Sequence, residues 1–200
     1  MKKAGMKGFI LIVLCFVICG LFYYVYLSDK GKSSQSTSTS SEAEHLLNYD
    51  FDEDYPKTVR ETVKLHNRFL KAAYNGSFSD EELEKINKNI RQLLDTELLD
   101  YNSEEVQLSG LKEEIQSYKD EKKKFVNFSV EEGSQTQYNT DGGQEYAKIK
   151  VTLIIKVEGT SVSVDEEYLL RQDVSGRWKI LGWQPVKNSF PTVLPSWRQA

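Results

Sequence analysis

The chain has 200 residues, 28% of them charged and 12% aromatic, with a formal net charge of −4. That length is one domain plus appendages, with enough apolar material for a core of its own. Residues 49–200 hold 21 basic and 27 acidic residues, a net of −6, and an acidic domain without a basic stripe argues against nucleic acid as the partner.

Phe9–Leu27 carries no charge. As a helix its nineteen residues span about 28 Å, close to the roughly 30 Å of a hydrocarbon core. Lys2, Lys3 and Lys7 precede it in a basic end of residues 1–8, and Tyr23, Tyr24 and Tyr26 stand at its far end. By the positive-inside tendency this is a single-pass anchor in the cell membrane, N-terminus cytoplasmic, with everything after Leu27 outside. A cleaved signal peptide would have a shorter apolar run and a small-residue cleavage site. Cys15 and Cys19 both lie within the span, so the outer part has no disulfide, no cysteine ligand and no cysteine nucleophile. An exported domain without disulfides fits a bacterial source and a self-sufficient core.

Ser28–Asn48 reads as a Ser/Thr-rich linker, a composition that cannot bury enough to order itself. Three helices are expected next. The first takes Asp54 as N-cap, Pro56 in its first turn and a stripe of Val59, Val63, His66, Phe69, Leu70 and Ala73, ending near Asn75-Gly76. The second opens on the capping box Ser79-x-x-Glu82 and carries its stripe through Leu93 and Leu94 to Leu98. Ser103 caps the third, which presents Leu108, Leu111, Ile115 and Tyr118.

Four strands follow. Phe125–Glu132 is expected to point Val126, Phe128 and Val130 one way, and Gly133–Gly143 to be a polar loop. In Gln144–Glu158, Ala147, Ile149, Val151, Leu153, Ile155 and Val157 alternate with polar residues, the period of a sheet with one buried face. A type II′ turn centred on Gly159-Thr160 then sets Val157 opposite Val162, Ile155 opposite Val164, Val151 opposite Tyr168, Ile149 opposite Leu170 and Leu153 opposite Glu166. Ser161–Asp173 and Arg177–Trp183 complete an antiparallel meander. The fold class is α+β: three helices on one face of a curved four-stranded sheet, over residues 49–184.

This order resembles the nuclear-transport-factor-2-like (cystatin-like) superfamily over about residues 56–183, closing on Gly176-Arg177-Trp178-Lys179-Ile180. The resemblance implies a cone of helices and curled sheet with a cavity between them. Its members include enzymes, ligand-binding modules and secretion components. The plan of short cytoplasmic end, one membrane helix and such a domain outside is also similar to components of conjugative type IV secretion complexes.

Enzymes of that superfamily tend to keep an Asp or His in the cone. His45 lies in the linker, so His66 is the one imidazole that could serve, and Glu166 is the strand carboxylate that the register turns inward. A lone His on an apolar helix face is more often a hydrogen-bonded core residue, and a bulge could turn Glu166 outward. His66 and Glu166 are therefore candidates for a ligand pocket, with no catalytic residue, metal site or cofactor assigned. Asn75-Gly76-Ser77 and Asn127-Phe128-Ser129 match the glycosylation sequon, a short pattern. The Pro-rich tail, residues 185–200, carries Phe190, Leu194 and Trp197, which need an apolar surface on their own domain, on a second copy or on another protein. The expected role is an anchored binding or assembly module, not an enzyme. The alternatives are a secretion-complex component, or a cone that uses Glu166 and His66.

Overall fold

The computed structural model describes residues 42–186. The expected anchor Phe9–Leu27, most of the linker, and Phe190, Leu194 and Trp197 lie outside the described residues. Among the described residues no helix is long and apolar enough to cross a membrane. The chain divides into two units, Met1–Ser41 and Glu42–Ala200, and every described residue belongs to the second.

Among the described residues the first helix covers residues 42–47 (α1), inside the expected linker. Leu46 there is fully buried, and Arg68 donates through two nitrogens to the Glu42 carboxylate at 2.7 and 3.1 Å. Residues 42–48 of the expected linker are thus packed on the domain, because two leucines and an ion pair suffice to dock this stretch. Asp50 and Asp54 close a separate turn, with Asp54 N donating to Asp50 O at 3.0 Å. Asp54 is therefore not the cap of the next helix. That helix, α2 (Val59–Asn75), is capped by Thr58 in a reciprocal box with Glu61. The residue before a proline is disfavoured in helical conformation, so Tyr55-Pro56 delays the helix start.

The second expected helix is two. α3 (Asp80–Arg91) opens on the Ser79–Glu82 box as read from sequence. The chain then leaves the helix: Ile180 N donates to Leu93 O and Asp95 N to Ile180 O, both at 2.8 Å. Residues 93–95 so pair in parallel with a sheet edge, which offers them bonds a helix end lacks. Asp95 then caps the short α4 (Thr96–Tyr101), and Leu98 belongs there. α5 (Glu104–Asp120) is capped by Ser103.

The sheet has five antiparallel strands, not four: β1 (Lys123–Val130), β2 (Gln137–Asp141), β3 (Gln144–Val157), β4 (Thr160–Gln172) and β5 (Trp178–Pro185), with β1 and β2 both paired to β3. β2 falls in the expected loop. All five of its residues are exposed, so no apolar period betrays it, but Gly142 (φ 57°) and Gly143 (φ 81°) form its hairpin to β3. In β1 the register skips Val126. This bulge turns Phe125 and Val130 into the core and leaves Val126 exposed, against the simple alternation expected. Pro185 ends β5 rather than opening the tail.

The β3–β4 turn also corrects the sequence reading. Glu158 (φ 49°) and Gly159 (φ 92°) are its central pair. Two positive φ values define a type I′ turn, whose twist matches that of the strands. The turn lies one residue earlier than expected, so the register shifts by two. Ile155 faces Val162, Leu153 faces Val164, Val151 faces Glu166, Ile149 faces Tyr168 and Ala147 faces Leu170. Because side chains alternate with period two, every expected inward residue still points inward.

The helices lie against one face of this sheet. α2 reaches β1 through Asn75 and Phe125, and β5 through His66 and Trp183. Tyr138 of β2 and Trp178 of β5 bring their ring centroids to 5.7 Å although β3 and β4 separate their strands. Flat, those strands would be about 14 Å apart, so the sheet is curled.

Candidate functional site

The inner face of the curl holds one polar cluster in otherwise apolar surroundings. α2 supplies His66 and Asn67, β4 supplies Glu166 and Tyr168, and β5 supplies Trp183. His66 and Asn67 fall on the buried side of α2 beside Val63 and Leu70. Glu166 and Tyr168 are two apart on a strand and so share its inward face. Tyr168 sits opposite Trp183 and Ile149, and Glu166 opposite Pro185 and Val151.

Tyr168 is the hub. Its hydroxyl lies 3.3 Å from His66 Nδ1 and accepts from Asn67 Nδ2 at 3.2 Å. Asn67 Nδ2 also donates to Val63 O at 3.0 Å. The Tyr168 and Trp183 rings stack at 5.6 Å and 10°. His66 meets Trp183 edge-on at 4.9 Å and Tyr168 at 5.7 Å.

Both candidate pocket residues therefore border one tyrosine. His66 touches its hydroxyl from the helix layer, and Glu166 is the next inward residue along its strand. Glu166 is not turned outward by a bulge. It is 2% exposed, and His66, Asn67 and Tyr168 are 0% exposed. The imidazole and the phenol are in hydrogen-bond contact, and the Glu166 carboxylate belongs to the same inward stripe of β4.

Sequence reasoning missed Asn67, and read Tyr168 only as an apolar core residue. Tyr168 lies on a clear inward stripe, which marks burial but not its hydroxyl's partners. Asn67 adjoins His66 off the apolar stripe, where a polar residue passes for a solvated one. His45, exposed on α1, sits edge-on to Tyr49 at 5.7 Å. Asn75 of the first sequon spends its amide on Phe125, while Asn127 of the second is exposed. Among the described residues no three His, Cys, Asp or Glu side chains gather as a metal ion would need.

Fold and cluster together define an α+β domain with helices on a curled antiparallel sheet and a sealed polar core. A family model described as "Domain of unknown function (DUF6715)" matches residues 1–183, and the chain belongs to that family. No curated protein matches it. Among solved structures, it is similar to a de novo designed β-sheet protein determined by solution NMR, 15% identical over 68% of this chain and 93% of that one, with a TM-score of 0.32.

Proposed function

We propose that the chain is a single-pass membrane protein whose outer domain, built on the nuclear-transport-factor-2-like plan, binds or assembles rather than catalyses. The observation that carries this is the sealing of His66 at 0% and Glu166 at 2% exposure. A general acid or base must come within hydrogen-bond reach of the proton it moves. Here both groups are buried, and His66 bridges the helix layer to Tyr168 and Trp183 of the sheet. The apolar, charge-free Phe9–Leu27 supports anchorage, and the lysines before it support an outer location for the domain.

The test compares full chains carrying His66→Gln or Glu166→Gln with the natural one, reading the phenotype of a deletion strain beside the melting temperature. Variants that stay folded at growth temperature keep function. Loss of function in a variant with an unchanged melting temperature overturns the reading. It favours instead a ligand pocket about Tyr168, the second reading, which the placing of His66 and Glu166 beside that one tyrosine supports.

A further inference from the structure

The departure of residues 93–95 from helix to sheet edge opens a cleft of about 420 Å³ between the end of α3, the start of α4 and the β4–β5 turn. Its charges are unevenly satisfied. Asp95 is held by Arg171 and caps Glu97 N at 2.9 Å. Asp173 Oδ1 accepts from Ser175 N, Ser175 Oγ and Arg177 N at 2.7–2.9 Å. Those two wall carboxylates are spent on the fold.

Lys179 is half-buried at the same cleft. Its Nζ donates to Gln92 O at 2.7 Å and lies 4.6 Å from the centre of the Tyr55 ring. Among the described residues it forms no ion pair. A carbonyl dipole and a ring face steady an ammonium without neutralising it. Burial accordingly holds its pKa below the usual lysine range, against the opposing pull of Asp173. Lys88, which also lines the cleft, has Glu104 at 3.8 Å as its ion-pair partner among the described residues, and both are exposed. Arg91, the third cation of the wall, donates through Nη1 to Asn102 O and Gln107 Oε1 at 2.9 and 2.7 Å, and Leu94 and Leu99 add apolar wall.

We infer that this cleft binds a small oxyanion with a compact apolar body, its charge between Lys179 and Lys88 and its body on Leu94 and Leu99. The volume falls at the lower end of the range for small-molecule sites, about 300–1,000 Å³. A bare inorganic anion would leave the leucine wall unused. A neutral ligand would give Lys179 no ion-pair partner, since Asp173 and Asp95 act on it from beyond ion-pair distance.

The experiment titrates the full 200-residue chain, 15N-labelled at leucine and lysine, with phenylacetate, phenylacetamide and inorganic phosphate. Phenylacetate saturably shifts the Leu94, Leu99 and Lys179 amides and binds at least tenfold more tightly than either of the others. Lys179→Met weakens it at least tenfold. Lys88→Gln, a change of an exposed side chain that leaves the fold intact, weakens it about threefold. Phenylacetamide binding as tightly as phenylacetate, both variants binding like the natural chain, or no saturable shift at these amides with any probe overturns the inference. Phosphate binding as tightly as phenylacetate overturns the apolar-body part of it.

Discussion

The Asn75 side chain grips the Phe125 backbone from both directions: its Nδ2 donates to Phe125 O at 2.6 Å and its Oδ1 accepts from Phe125 N at 3.1 Å. A side-chain amide thus replaces a neighbouring strand at the outer edge of β1, and ties the last turn of α2 to the sheet. Asn75→Ala removes both bonds and bares that edge. We expect a loss of about 1–2 kcal/mol in urea unfolding and increased aggregation at the midpoint. Unchanged stability would show the clamp to be incidental.

Asp95 has two roles at one carboxylate, as cap of α4 and as acceptor for Arg171. Its side chain is 5% exposed and that of Arg171 22%. Asp95→Ala should therefore cost about 2–3 kcal/mol, combining a lost cap with a partly buried guanidinium left with Glu97 alone, at 3.2 Å. Adding Arg171→Met removes the stranded charge. The double variant should be less destabilised than the sum of the singles by at least about 1 kcal/mol. Additive losses would mean that the pair is not coupled.

The β3–β4 turn makes Glu158 a non-glycine residue at positive φ. Glu158→Asn relieves that conformation and should raise stability by about 0.5–1 kcal/mol. Gly159→Ala should lower it by about 1 kcal/mol, since an L side chain fits its φ of 92° poorly. A turn centred one residue later would reverse the response at 158.

Much of this fold is written locally. The Ser79 and Ser103 caps, the β3 alternation and the inward stripe of β4 are short-range signals, and the structure agrees with each. What was not legible depends on distant partners. Residues 93–95 leave their helix only because the β5 edge, more than eighty positions away, bonds Leu93 and Asp95. The β1 bulge at Val126 exists to turn both Phe125 and Val130 inward. β2 is a strand only through its hairpin with β3. For the polar cluster, sequence named His66 and Glu166 separately. That they border the same tyrosine follows from how α2 crosses the curled sheet, which no local pattern encodes.

Acid should weaken the attachment of α1. The Arg68 guanidinium hydrogen-bonded to Glu42 holds its carboxyl below the ordinary value of 4.5, against a smaller opposing effect of burial. A carboxyl whose pKa is depressed on folding contributes stability above its unfolded value. That contribution is lost as pH falls through the folded value. In an NMR titration Glu42 should therefore have its midpoint below 4.5, and Arg68→Gln should return it toward that value. An identical midpoint in both chains would show that the pair does not hold α1.

The central claim is that the inner cluster is sealed, and the chain's two histidines allow a direct reading of it. His45 is exposed on α1 and His66 is 0% exposed beneath Trp183 and Tyr168. Diethylpyrocarbonate, followed at the absorbance of the modified imidazole, should label one histidine per native chain and two in urea, and none in native His45→Gln. Rapid labelling of both histidines in the folded protein would contradict the account, because His66 would then be open to a substrate.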